Sequence, residues 1–176
     1  KINFALILED DAVISSRLKI FLKKIESILI ENNIDIININ THELPTKIGK
    51  AKYDIKEIAT TLHEMVTVEY GTAGYIISYQ CAKKLLLDER FGTLPIDLYL
   101  FSKKTKINKK LKILQAFPAL TIPLASVNNL NQNKILYIFK NKKEFYKTAM
   151  TSADYNNYKN KNKILIFTYN LMNYVK

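Results

Sequence analysis

The sequence predicts an α/β domain, and three observations carry that prediction. An apolar strand-like run, Phe4-Ala5-Leu6-Ile7-Leu8, opens the chain; an amphipathic helical pattern follows it; and a β-branched run from Ile34 to Ile39 comes next. Strand, helix and strand in that order are most economically read as a right-handed βαβ crossover. At 176 residues, 48% hydrophobic and 24% charged, the chain has the size and composition of one globular domain.

The first strand ends in three adjacent carboxylates, Glu9, Asp10 and Asp11. Carboxylates crowded at the end of a buried strand repel one another and lose hydration, so they persist where a cation or a polar substrate offsets the cost. Hard divalent ions such as Mg²⁺ and Mn²⁺ suit these oxygen donors. Side chains alternate across a strand, so Glu9 and Asp11 are expected to point to one side and share the ion, while Asp10 points to the other. A solvated acidic turn is the plain alternative.

Leu18, Phe21, Leu22, Ile25, Ile28 and Leu29 then recur at helical spacing, with Ser15 or Ser16 as N-cap and Asn32-Asn33 as the stop. Between Thr41 and Met65 the signals conflict: Ile55, Ile58, Ala59 and Leu62 suit a helix, whereas Pro45 and Gly49 suit a loop. His42 and His63 lie there without a metal-spaced partner and are expected to be surface or hydrogen-bonded residues. Val66 to Val68 and Ala73 to Ser78 read as short strands joined through Glu69-Tyr70-Gly71-Thr72. Gly71 and Gly74 flank Thr72-Ala73, which makes either a tight turn or room for a sugar or phosphate. Ala82, Leu85 and Leu86 mark a short helix, and Pro95 opens the run Ile96 to Phe101. Further apolar runs lie at Ile113-Leu114, Ala119 to Leu124, Ile135 to Phe139 and Ile164 to Phe167, with loops at Asn128 to Asn133 and Asn156 to Asn160.

Charge divides the chain unevenly. Residues 1–102 hold 12 Lys/Arg against 14 Asp/Glu, a balance of −2, and residues 103–176 hold 15 against 2, a balance of +13. The expected organisation is a core over 1–102 and a basic part over 103–176, either of the same domain or an appendage facing acceptor or membrane. Such a segment suits an anionic membrane face or a phosphorylated substrate, or it simply keeps the protein soluble; no nucleic-acid reading motif accompanies it. A single cysteine, Cys81, excludes an internal disulfide framework and a CxxC zinc cluster, fits a reducing compartment, and is expected in the core. No stretch approaches the roughly twenty apolar residues of a membrane span, and a cytoplasmic location is expected. The chain begins at Lys1 without Met and enters a strand almost at once, so its N-terminus looks cut.

Four blocks in order resemble glycosyltransferase family 25, which includes bacterial lipooligosaccharide galactosyltransferases: Ala5-Leu6-Ile7-Leu8-Glu9-Asp10-Asp11-Ala12, Ile34-Asp35-Ile36-Ile37-Asn38-Ile39, Gly71-Thr72-Ala73-Gly74-Tyr75-Ile76-Ile77-Ser78 with Ala82-Lys83-Lys84-Leu85-Leu86, and Pro95-Ile96-Asp97. The resemblance implies a GT-A-like nucleotide-diphospho-sugar fold, a mixed sheet flanked by helices, lacking here the N-terminal strand and helix that help such proteins bind the nucleotide. It implies transfer of a hexose, often galactose from a UDP-hexose, with inversion, to a lipooligosaccharide or other glycan. Glu9 and Asp11 would then hold Mn²⁺ or Mg²⁺, and Asp10, Gly71, Thr72 and Tyr75 would contact the donor, although Tyr75 also suits the core. Asp97 would take the proton from the acceptor hydroxyl, or else cap a helix. Peripheral contact with the inner face of an anionic membrane is the matching partner expectation. Two rivals are an inactive or binding-only remnant of a transferase, and a receiver-like domain with Asp54 as phosphoacceptor.

Overall fold

The computed structural model describes residues 3–41, 45–46, 48–66, 71–102, 104–127 and 146–147. Their elements run β1 Phe4–Leu8, β2 Ala12–Ile14, α1 Leu18–Glu31, β3 Ile36–Asn38, β4 Pro45–Thr46, β5 Ile48–Ile55, β6 Thr60–Met65, β7 Gly74–Ser78, α2 Tyr79–Leu86, α3 Ile96–Phe101, β8 Ile113–Phe117, β9 Thr121–Pro123, α4 Leu124–Val127 and β10 Tyr146–Lys147. Six strands form one mixed sheet in the order β1-β7-β3-β8-β6-β5. Only the β3–β8 pairing is parallel; β7 is antiparallel to both β1 and β3, so β1, β3 and β8 run the same way and end on one edge. The first strand and the strand after the helix are therefore parallel, as expected, but β7 lies between them.

Helix α1 covers one face because Leu18, Phe21, Ile25 and Leu29 fall on one side and are buried. They pack with Leu6, Ile37, Ile39, Leu62, Ile76 and Leu114. Full burial of Phe21 and Ile25 stabilises the fold by about 1.5–3 kcal/mol each. The helix start differs from the serine cap expected: Arg17 is the N-cap residue and no side chain caps it. Ser15 instead accepts a hydrogen bond from the Arg17 amide at 3.2 Å. The Arg17 guanidinium meanwhile reaches the Ile58 carbonyl and Thr60 hydroxyl at 3.2 Å and the Ala119 carbonyl at 3.4 Å. At the other end Asn33 takes a left-handed φ of 49°, which terminates α1 where the asparagine pair was expected to.

The opposite face carries α2 and α3, where Ile36, Tyr75, Ile77, Cys81, Leu85, Tyr99, Leu100, Phe101 and Ile107 form a second core cluster. Ser78 caps α2 by accepting from the Cys81 amide at 3.1 Å. Cys81 is wholly buried, and burial pushes its thiol up to about 12.

The helical alternative over residues 48–65 gives way to an antiparallel pair, β5 and β6, joined by a 3-10 turn at Lys56–Ile58. Ile55, Ile58 and Leu62 do face the core. The helix cannot form through them because Ala59 adopts a left-handed φ of 48°. Asp54 lies exposed on β5, the outermost strand, which removes the strand-end pocket that a receiver domain needs. His63 is hydrogen-bonded through its ring to the Gly49 carbonyl at 2.9 Å and the Thr61 hydroxyl at 2.8 Å. His42, the strand expectation beyond Val66, and the apolar runs and loops expected beyond residue 127 lie outside the described residues.

Strand β8 sits between β3 and β6, so residues 113–117 belong to the same sheet as residues 4–78. No helix among the described residues is long and apolar enough to cross a membrane.

Candidate active site at the carboxyl edge of the sheet

The face covered by α2 and α3 changes character row by row, since residues paired directly across strands project to the same side. One row is apolar: Ala5, Ile77, Ile36 and Ile113. The next is mixed: Ile7, Tyr75, Asn38, Gln115 and His63. Beyond it the Glu9 amide donates to the Ala73 carbonyl at 3.2 Å and the Ile39 amide to the Gly74 carbonyl at 3.2 Å, while Asn40 bridges Thr121 in parallel. Those bonds continue the register by one row and align Glu9, Ala73 and Asn40 at the edge where β1 and β3 end. Ligands of open α/β sheets bind outside such carboxyl ends.

Pairing of β1 stops there. Asp10 and Asp11 belong to a turn, closed by the Ala12 amide donating to the Glu9 carbonyl at 3.2 Å. The alternation argument that aimed Glu9 and Asp11 to one side thus lapses, because a turn has no period of two. All three carboxylates are exposed. The turn is tied down behind by β2, which pairs with β9, and by the Leu124 amide donating to the Asp11 carbonyl at 2.9 Å.

Two carboxylates from distant segments converge on one dipeptide. The Thr72 hydroxyl donates a hydrogen bond to Glu9 Oε1. The Gly71 amide donates to Asp97 Oδ2 at 3.2 Å, and the Leu98 amide to Asp97 Oδ1 at 2.7 Å. Gly71 reaches this position with φ of +86°, a conformation in which a side chain is strained. Asp97 lies in the first turn of α3, whose N-cap is Pro95, so it is not the cap residue. Thr72 is buried and Asp97 half-buried. Tyr75 stands in the core cluster, edge-on to Phe101 at 6.3 Å. Burial first, and the Glu9 charge second, raise its phenol above the usual range.

Among the described residues no three His, Cys, Asp or Glu side chains converge as a metal cage. Mg²⁺ and Mn²⁺ need no such cage in nucleotide sites, where one or two carboxylates and the substrate phosphates suffice. Glu9 keeps one carboxylate oxygen clear of Thr72, and Asp10 and Asp11 open to solvent beside it, so these residues fit an ion shared with a diphosphate.

Sequence reasoning passed over Asn38, Asn40 and Gln115, all fully buried on this face. The available signal was parity: in Ile36-Ile37-Asn38-Ile39-Asn40 the polar residues all share one face of the strand.

The family model for glycosyltransferase family 25, described as LPS biosynthesis proteins, matches residues 1–100. The chain belongs to glycosyltransferase family 25. A search of curated proteins finds no match. The matched span holds Glu9, Asp10, Asp11, Gly71, Thr72, Tyr75 and Asp97, along with Asn38 and Asn40. Family 25 membership makes the protein a glycosyltransferase of lipopolysaccharide biosynthesis, which takes a nucleotide-sugar donor and a glycan acceptor. Its mixed sheet flanked by helices is compatible with that activity.

Proposed function

We propose that the protein is a divalent-metal-dependent, GT-A-like hexosyltransferase that moves galactose from UDP-galactose to a lipooligosaccharide acceptor with inversion, at the carboxyl edge of its sheet. The observation that carries this reading is the acidic turn, Glu9 to Asp11, at the strand end of a family 25 chain, with Asp97 drawn to the same loop as Glu9. Glu9 with Asp11 would hold Mn²⁺ or Mg²⁺, and a bound ion supplies positive charge against the diphosphate that leaves. Gly71 and Thr72 present backbone and hydroxyl groups where the donor would lie, and Asp10 and Tyr75 flank them.

Inversion needs a base on the acceptor side. Asp97 is the residue assigned to it: two amide donors fix its carboxylate, and each oxygen keeps a lone pair for an acceptor hydroxyl. Asp97 takes that proton as the acceptor oxygen attacks the anomeric carbon and UDP departs.

The lysine-rich segment is proposed to meet anionic lipid at the cytoplasmic face. The lysines from Lys104 to Lys112 precede β8 and so lie at the sheet edge opposite the acidic turn. Liposome binding that ignores ionic strength would remove this contact.

The test of the enzyme reading is transfer by the full-length protein from UDP-galactose, with and without Mn²⁺, with the anomeric configuration read by NMR. Metal-dependent transfer that Glu9→Ala and Asp97→Asn each abolish is expected. Donor binding without turnover would make the protein a sugar-binding remnant, and turnover unaffected by both substitutions would defeat the site assignment.

A further inference from the structure

Asn40 is 0% exposed, and neither its Oδ1 nor its Nδ2 has a hydrogen-bond partner. Such a group is uncommon, because a buried amide left unpaired is costly to the fold. Its backbone, by contrast, is held on both sides by the two amides of the row below. The Asn40 amide N–H donates to Asn38 Oδ1 at 3.1 Å, and Gln115 Nε2 donates to the Asn40 carbonyl at 3.1 Å. Asn38 Nδ2 and Gln115 Oε1 are joined at 2.9 Å, which closes the support. Two wholly buried side chains therefore hold the Asn40 backbone, Gln115 Nε2 also donating to the Ala116 carbonyl at 3.2 Å, while the side chain of Asn40 itself bonds to nothing.

The placement matters. Asn40 stands in the same edge row as Glu9, with only the methyl of Ala73 between them, and two strand spacings put the two positions roughly 10 Å apart. That is about the span of a sugar joined to a phosphate. One amide offers a donor and an acceptor side by side, which matches neighbouring hydroxyls of a hexose.

We infer that Asn40 reads the sugar of the donor, its amide pairing with hexosyl hydroxyls while the diphosphate lies toward Glu9. This assignment rests on the nucleotide-sugar reading of the edge. Whatever group closes Asn40 from solvent makes no hydrogen bond to its side chain, so both amide atoms remain available to an entering sugar hydroxyl.

Thermal unfolding and calorimetry on full-length wild type, Asn40→Leu and Asn40→Ala, each with Mn²⁺ plus UDP or plus UDP-galactose, test it. Leucine has the amide's shape without its unpaired atoms, so Asn40→Leu is expected to melt about 2–4 °C higher than wild type. UDP affinity is expected to stay within twofold, and UDP-galactose affinity to fall roughly tenfold or more in both variants. A lower melting temperature for Asn40→Leu would show that the amide supports the fold, and would overturn the inference. Equal losses for UDP and UDP-galactose, or none, would overturn it and leave the nucleotide-sugar reading standing. Wild-type protein that binds neither compound would sink both.

Discussion

A methyl group added at Gly74 is expected to strike Thr121, which three hydrogen bonds hold in the framework of the site. A Cβ at that position would lie 2.4 Å from Thr121 Oγ1, 2.7 Å from its Cγ2 and 3.0 Å from its Cβ. The threonine has little freedom to yield. Its hydroxyl donates to the Ile39 carbonyl at 3.2 Å, its amide donates to the same oxygen at 2.9 Å, and its carbonyl accepts from the Thr41 amide at 3.1 Å. Overpacking of this kind costs about 1–3 kcal/mol, and two contacts under 3 Å place Gly74→Ala toward the upper end. Thr121→Ala alone loses one hydrogen bond and a buried methyl, roughly 1–2 kcal/mol. In the double variant two of the three close contacts disappear, so the two costs should not add: a favourable coupling of about 1–2 kcal/mol is expected in a cycle measured by urea unfolding. The contact at 3.0 Å survives, so the rescue is incomplete. A Gly74→Ala protein within about 0.5 kcal/mol of wild type, or costs that simply sum, would refute this steric account.

Thr72→Val removes the hydroxyl that restrains Glu9, and is expected to raise the Mn²⁺ concentration for half-maximal transfer about five- to tenfold, with Thr72→Ser near wild type; equal behaviour of Val and Ser would deny the hydroxyl that role. Arg17→Ala breaks the guanidinium's bonds to three acceptors on two separate segments, residues 58–60 and Ala119, and is expected to cost about 2–4 kcal/mol in chemical denaturation, and Arg17→Lys to recover less than half of it, since an ammonium lacks the guanidinium fork. The Cys81 thiol is raised from 9.0 to about 12 by burial first, so the folded state holds its proton more tightly than the unfolded state. That contribution to stability is complete below pH 9 and is lost as pH rises from about 9 toward 12. Cys81→Ala is therefore expected to show a shallower decline over that window, and a thiol reagent at pH 8 to label Cys81 only on unfolding; identical pH profiles would contradict the linkage.

Local pattern was enough for the elements whose apolar spacing is unambiguous. The period of α1 and its asparagine stop, the apolar run of β1, and the strand leading into α2 were all legible, because each is decided by contacts within a few residues. The family's blocks were legible too, since they are local words in order. Three things were not. The hairpin of β5 and β6 was obscured because Ile55, Ile58 and Leu62 satisfy a helical period while facing the core from two strands and a turn. The insertion of β7 between β1 and β3 depends on pairing across more than thirty residues, about which local spacing says nothing. And the site's edge row exists only by register: Glu9, Ala73 and Asn40 come from three strands, Asp97 from a helix, and Gly71-Thr72 ties two of the carboxylates together. Sequence marked the chemistry of these groups, carboxylate, hydroxyl and amide. Their neighbourhood, and the unpaired state of Asn40, were decided by which strands lie side by side, because hydrogen bonding between distant strands is a property of the assembled sheet.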